Sequence, residues 1–182
     1  MNASAFVVTP KGSPGTLLDT AHALGFEAAL PFRSVAAAER QAMRTPLVFF
    51  LFDAGADPRG HAAIASSIRA SSHPAIRFAP LICFTREPSR ELVHACINMG
   101  FDDVITLPCS RPRLQQRLAR QLGSTCHYYE TPSYFGPDRR NRLNDSSDHT
   151  GRGSGGPFRR YEIVRSALTG VRLVTDEQQV VL

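Results

Sequence analysis

Several features that mark large classes of proteins are missing from this chain of 182 residues. No segment approaches the roughly 20 consecutive apolar residues that a membrane-spanning helix requires. The first basic residue is Lys11 and no long apolar run precedes or follows it, so we expect no secretory signal. These absences predict a cytoplasmic protein that does not associate with membranes.

Cysteine is scarce and evenly scattered. The four cysteines are separated by 13, 13 and 17 residues and form no Cys-x-x-Cys pair; they are Cys83, Cys96, Cys109 and Cys126. A zinc site is therefore not expected, and reduced thiols in the core of the protein are the interpretation that fits this spacing.

Lysine is almost absent, since Lys11 is the only one among 21 basic residues. The formal net charge is +5. Thirteen of the basic residues fall within 1–126 and are scattered along it, a pattern typical of a solvated surface. The sequence therefore does not predict a DNA-binding protein.

Short apolar runs alternate with helical patterns over residues 1–122. Strands are predicted at residues 4–9, 27–32, 47–52, 79–84 and 103–106, and helices at residues 16–24, 35–44, 61–70, 88–98 and 110–122. The third strand, LVFFLF, is apolar at every position, as in a central parallel strand that helices cover on both faces. Five strand–helix repeats predict an α/β fold with a five-stranded doubly wound parallel sheet.

The composition changes near residue 127. Residues 131–160 are rich in Pro, Gly, Ser, Asn, Asp and Arg and contain almost no aliphatic residue. We therefore divide the chain into an α/β domain (1–122), a linker or disordered segment (123–160) and a short strand-forming segment around Gly170 (161–182).

Motifs of catalysis are also missing. The sequence contains no Gly-rich phosphate loop, no nucleophile elbow and no pair of catalytic carboxylates. We therefore predict that the protein is not an enzyme. In a doubly wound sheet, ligands bind beyond the carboxyl ends of the strands, which here means near Thr9, Asp53, Thr85 and Leu107.

The run MGFDDVITLP at residues 99–108, followed by Ser110 and a helix, resembles the last strand and loop of response-regulator (CheY-like) receiver domains. This resemblance implies a flavodoxin-like fold over residues 5–122. It also implies that Asp53 stands at the phosphoacceptor position and Thr85 at the position of the switch Ser or Thr.

Three parts of the receiver chemistry are replaced in this sequence. Receivers carry an acidic pair after the first strand, a lysine before the loop proline and an aromatic residue in the last strand. This chain has Thr9-Pro10, Leu107 and Val104 at those positions. The resemblance then implies a pseudo-receiver with a vestigial Asp53 and Thr85. Without the acidic pair we expect no metal site, and in particular no Mg²⁺.

The run YFGPDRR at residues 134–140 resembles the arginine-rich tails of some receiver-like proteins of alphaproteobacteria, some of which bind cyclic di-GMP and act on motility targets. Arginine forks match phosphates and guanine edges, and aromatic rings stack on purines. The predicted nucleotide-binding residues are Tyr134, Phe135, Asp138, Arg139, Arg140, Arg142, Arg159 and Arg160.

The resulting hypothesis is a non-catalytic signalling adaptor whose tail binds cyclic di-GMP and modulates a protein target. The partner would be a motility or signalling component, or a histidine kinase. Two alternatives stay open. One is a phospho-accepting response regulator that uses Asp53 in a two-component phosphorelay. The other is a purely protein-binding scaffold that uses the fourth and fifth strands and the last helix.

Overall fold

Two β-sheets make up the part of the chain that the computed structural model describes, namely residues 2–9, 15–54, 58–138 and 157–179. The first sheet is parallel, with the strand order β2-β1-β3-β4-β5. Its strands are β1 (Ser4–Val8), β2 (Ala28–Pro31), β3 (Val48–Asp53), β4 (Leu81–Thr85) and β5 (Asp103–Thr106). The predicted five-stranded doubly wound sheet is thus confirmed.

Helices cover both faces of this sheet. They are α1 (Gly15–Ala23), α2 (Val35–Ala42), α3 (Pro58–Arg69), α4 (Pro74–Arg77), α5 (Arg90–Asn98) and α6 (Arg111–Ala119). The side chains of β3 alternate between two apolar clusters, with Phe49 and Leu51 in one and Phe50 and Phe52 in the other. This placement explains why the strand is apolar at every position. None of the helices in the described ranges has the length and hydropathy of a membrane span.

The second sheet is antiparallel and has the strand order β7-β6-β8-β9. Its strands are β6 (Thr125–Thr131), β7 (Tyr134–Pro137), β8 (Phe158–Ser166) and β9 (Gly170–Gln179). The two strands expected around Gly170 are β8 and β9. The expectation of a linker or disordered segment is wrong for residues 125–137, which form β6, β7 and the turn between them, and for residues 158–160, which begin β8. Residues 139–156 lie outside the described residues.

Aromatic side chains join the antiparallel sheet to the rest of the protein. Phe78, which precedes β4, packs on Tyr128 of β6 and Tyr161 of β8, with ring centroids 5.4 and 5.3 Å away. Ile163 completes this buried cluster. Because Phe78 stands before β4, the antiparallel sheet covers the amino ends of the parallel strands, opposite to the end where Asp53 lies.

A buried ion network lies beside this cluster. The Asp102 carboxylate accepts hydrogen bonds from Arg69 and Arg165, each at 2.8 Å, and from the Tyr128 hydroxyl at 2.5 Å. The side chains of Asp102 and Arg165 are 4% and 0% exposed. Arg165 also donates to the carbonyl of Phe78. This network therefore ties β6 and β8 to the parallel sheet through charge as well as packing.

Candidate functional site

The carboxyl edge of the parallel sheet is the first candidate site. Asp53 ends β3 and is partly buried, and Thr85 ends the neighbouring strand β4 and is 5% exposed. The strands are held in register there, because Asp53 lies opposite Phe84 and the Ala54 N–H donates to the Phe84 carbonyl at 2.7 Å. The two residues predicted from the receiver resemblance therefore lie at one edge, on adjacent strands.

Thr85 accepts two hydrogen bonds at this edge. Its hydroxyl oxygen accepts a hydrogen bond from the Glu87 N–H at 3.2 Å, and its carbonyl accepts from the Leu107 N–H at 2.7 Å. Both bonds hold the loops after β4 and β5. In this structure Thr85 orders two loops at the edge where Asp53 lies.

Leu107 follows β5, at the position that the receiver resemblance assigns to a lysine. It packs against the apolar cluster that contains Leu24 and Leu114. These three leucines and Ala23 form the apolar part of the wall of a cleft of about 600 Å³ between α1 and α6, with Arg86 and Arg111 also lining it. The position therefore supplies apolar surface and no positive charge of its own.

The described side chains at this edge provide few of the ligands that Mg²⁺ prefers. That ion takes oxygen ligands, usually including one or two carboxylates in an octahedral set. Asp53 supplies one carboxylate, while the position after β1 holds the Thr9 hydroxyl, and Pro10 has no side-chain oxygen. Among the described residues, no group of three or more His, Cys, Asp or Glu side chains is placed to hold a metal ion.

The Cys83 thiol, on β4 two residues before Thr85, is not poised for reaction. A hydrogen bond with Cys96, burial and the Asp53 charge all raise the pKa of the Cys83 thiol. Both sulfur-bearing side chains are 1% exposed. A raised pKa keeps Cys83 protonated at neutral pH, and a thiol reacts as its thiolate. Cys83 is therefore part of the packing between β4 and α5.

The predicted nucleotide-binding residues form the second candidate site, and the structure describes five of the eight: Tyr134, Phe135, Asp138, Arg159 and Arg160. The Phe135 ring is turned into the aromatic cluster, 5.6 Å from Phe78 and from Tyr128, and the Arg77 guanidinium lies over it at 4.4 Å. The Tyr134 hydroxyl donates to the Pro137 carbonyl at 3.1 Å. The Phe135 ring is thus packed against other side chains of the protein.

The two arginines of β8 point to opposite faces of the sheet. Arg159 forms a two-pronged ion pair with Asp176 at 2.5 and 2.7 Å and lies over the Tyr161 ring. Arg160 lies on the outer face, 3.3 Å from the His127 ring and 3.6 Å from the Glu162 carboxylate.

The remaining predicted residues lie at or beyond the end of β7. The Asp138 N–H donates to the His127 carbonyl at 2.7 Å, which places the chain beside Arg160 as it leaves the sheet. Arg139, Arg140 and Arg142 follow Asp138 and lie outside the described residues.

The structure adds two aromatic rings that the sequence analysis did not assign. Tyr129 and Phe158 lie on the outer face of the antiparallel sheet with ring centroids 5.4 Å apart and an interplanar angle of 31°. Tyr129 is opposite Arg160 in the β6–β8 register. Strand alternation is the signal that could have found them, because Tyr128 is the inner neighbour of Tyr129, and Tyr161, three residues after Phe158, is also an inner residue.

Comparisons of the sequence give no relative, since no family model and no curated protein matches it. The fold does resemble solved structures. The CheY-like protein TadZ from Pseudomonas aeruginosa PAO1 aligns with a TM-score of 0.50 at 16% identity, over 64% of this chain and 98% of that chain. The receiver domain of a sensor histidine kinase from the same organism gives 0.45 at 22% identity, over 63% and 94% of the two chains.

A pilus assembly-related protein from Burkholderia pseudomallei aligns with a TM-score of 0.47 at 15% identity, over 64% of this chain and 87% of that chain. The strand order β2-β1-β3-β4-β5 and the alignment with TadZ agree on the architecture of the parallel sheet. The α/β part of this chain, to which a four-stranded antiparallel sheet is added, has the fold of the CheY-like receiver domains.

Proposed function

We propose that this protein is a non-catalytic pseudo-receiver, a cytoplasmic signalling adaptor that acts by contact with a protein target rather than by accepting phosphate. The observation that carries the proposal is Leu107, which packs on the core and lines an apolar cleft. A phosphoryl group on Asp53 would need a nearby cation and a metal ion to balance its charge. The Leu107 position supplies apolar surface in place of that cation.

Phosphorylation chemistry tests this proposal. We expect no phosphate adduct by intact mass after incubation of the full chain with acetyl phosphate and Mg²⁺, because Leu107 and Thr9 supply neither the cation nor the metal ligand. A phosphorylation-competent receiver domain, treated in parallel, controls for the reagent. An adduct on the wild-type chain that Asp53→Asn abolishes would establish the phospho-accepting alternative.

Cyclic di-GMP binding is the second candidate function. The outer face of the antiparallel sheet favours it, because Tyr129 and Phe158 offer aromatic surface beside Arg160. The three arginines after Asp138 follow directly from the end of β7. We infer that stacking would fall to Tyr129 and Phe158 in place of Phe135, whose ring is packed against Phe78.

Calorimetric titration with cyclic di-GMP checks this candidate. We expect the wild-type chain to bind, Arg139→Ala/Arg140→Ala to lose binding, and Tyr129→Ala to weaken it by about 1–3 kcal/mol, the usual contribution of one stacked base. Arg111→Ala/Arg113→Ala on α6 is the matched control, since it removes the same charge elsewhere. No heat from the wild-type chain, or equal losses in both double variants, would contradict a nucleotide site on the tail.

A further inference from the structure

Strand β9 forms the longest edge of the two sheets. It has ten residues and, among the described strands, it pairs with β8 alone, so one side of its backbone has no strand partner there. The other edge strands, β2, β5 and β7, have four residues each, and β2 and β7 end in proline. An edge strand as long as β9 presents a row of peptide groups that can pair with a further strand.

The side chains of β9 do little to protect this edge. Natural edge strands are commonly protected by lysine or proline, and β9 contains neither. Leu173 and Val174 are each 43% exposed, and Leu168, in the turn before β9, is 78% exposed. Apolar side chains exposed beside an unpaired strand edge are typical of a surface that binds another strand.

A β-bulge in β9 places two opposite charges on one face of the sheet. The register between β8 and β9 shifts by one residue, and Val174 is the extra residue. Arg172 lies opposite Val164 and Glu177 lies opposite Arg160, and these two β8 residues are four positions apart, on the outer face. In a regular strand, residues five positions apart would lie on opposite faces. Because of the bulge, Arg172 and Glu177 share the outer face.

This arrangement makes β9 complementary to a second copy of itself. When two copies of β9 run antiparallel about a two-fold axis between Val174 and Thr175, the whole strand, Gly170–Gln179, lies opposite its copy. Arg172 of each copy then lies opposite Glu177 of the other copy, on the same face. Two symmetric pairs of opposite charge, with β-branched side chains at the centre, favour this register.

The inner face is compatible with the same register. There Leu173 lies opposite Asp176 of the other copy, and the Asp176 carboxylate is already paired with Arg159 of its own strand pair. The charge of that carboxylate is therefore balanced within each copy.

We propose that the protein forms a symmetric dimer in which the β9 edges of two copies pair antiparallel and join their four-stranded sheets into one sheet of eight strands. The axis is perpendicular to the sheet, so the outer faces of both copies, with Tyr129 and Phe158, lie on one side of it. The inference goes beyond the proposed adaptor function and does not depend on it, because Asp53 lies at the far end of the parallel sheet.

Sedimentation velocity of the full chain over a wide range of concentrations tests the inference. We expect the wild type to form a dimer. Arg172→Glu and Glu177→Arg should each weaken dimerisation about tenfold or more, because both symmetric pairs then carry like charges. Arg90→Glu, at an exposed position at the start of α5, makes the same change in charge as Arg172→Glu and should leave the dimer unchanged.

A mixture of the two β9 variants separates pairing of the edges from damage to the fold. In a heterodimer of Arg172→Glu with Glu177→Arg, both opposed pairs again carry opposite charges, so we expect an equimolar mixture to dimerise more tightly than either variant alone. Glu177→Arg also places an arginine opposite Arg160 within its own sheet, so circular dichroism and the melting temperature of each variant are measured first.

Three results would overturn the inference. A wild type that stays monomeric at every concentration would leave this edge to a strand of another protein. Equal effects of Arg172→Glu and Arg90→Glu, or a mixture of folded variants that stays monomeric, would place any contact between copies away from β9. None of these results concerns phosphate on Asp53, so this inference and the adaptor function fail independently.

Discussion

Asp102→Asn is expected to destabilise the protein by about 3–5 kcal/mol, the usual cost of removing one partner from a buried ion pair. The carboxylate accepts from Arg69 at 2.8 Å and from Arg165 at 2.8 Å, and the side chains of these two arginines are 4% and 0% exposed. An asparagine of the same shape would leave both guanidinium groups buried without a counter-charge. Urea denaturation of the variant and the wild type measures the difference.

Asp103→Asn is the matched control for this variant. Asp103 is the next residue, and it pairs with Arg117 on α6, where the two side chains are 16% and 28% exposed. A partly solvated pair of this kind contributes about 1 kcal/mol or less. Similar losses for the two variants would contradict the argument that burial makes Asp102 the more important carboxylate.

The wild type and Asp102→Asn also allow a test of how stability depends on pH. Burial alone would raise the pKa of Asp102, but the charges of Arg165 and Arg69 and a hydrogen bond from Tyr128 lower it from 3.8 to about 2. A depressed pKa in the folded state contributes stability that is present above the unfolded value and is lost as the pH falls. Wild-type stability should therefore drop by about 2 kcal/mol between pH 4 and pH 2 through this group, and Asp102→Asn should lack that part of the slope.

The parallel sheet could be predicted closely because each of its strands has a recognisable local sequence pattern. The fifth strand was expected at residues 103–106 and is Asp103–Thr106. Ser34 was expected to cap the second helix, and its hydroxyl oxygen accepts from the Ala37 N–H at 3.2 Å. Helix α4 was missed, since four residues, Pro74–Arg77, are too few to show a helical period.

Strands β6 and β7 of the antiparallel sheet could not be predicted by the same means, because neither contains an aliphatic residue. The inner positions of β6 are Cys126, Tyr128 and Glu130, and the Glu130 carboxylate is held by Tyr161 and Arg77, each at 2.5 Å. A search for aliphatic runs passes over such a strand. The pairing of β6 with β8 also joins residues 29 to 39 positions apart, which local propensity does not reveal.

The candidate sites also contain residues whose position could be predicted from the sequence and residues whose position could not. Asp53 and Thr85 were placed correctly at one edge, because parallel strands bring their carboxyl ends together. Phe135 was expected to stack on a nucleotide, yet it packs against Phe78 and Arg77. Residue type alone does not reveal which face of a strand a side chain occupies. Because β7 was not predicted, nothing in the sequence indicated that Phe135 lies on the inner face of a sheet.

Gly100→Ala should have the second large effect, because it acts where the two sheets meet. Gly100 has φ of +77°, a conformation that strains any residue with a Cβ. A Cβ built there would overlap the Phe135 carbonyl oxygen, and one built on Gly136 would lie 2.6 Å from the Gly100 Cα. The backbones of the α5–β5 turn and of β7 therefore touch directly, and the added methyl group has no flexible side chain to displace.

Gly123→Ala separates the two destabilising effects of Gly100→Ala, which are the backbone strain at positive φ and the clash with β7. Gly123 has φ of +78°, but its Cβ would meet nothing within 4 Å, so this variant should show only the conformational strain of about 1–2 kcal/mol. Gly100→Ala should lose that amount and, in addition, the contact between β7 and the parallel sheet, which exposes the aromatic cluster around Phe78. We expect its urea midpoint to fall well below that of Gly123→Ala, and faster hydrogen exchange in β6 and β7. Equal midpoints would mean that β7 does not bear on the turn at Gly100.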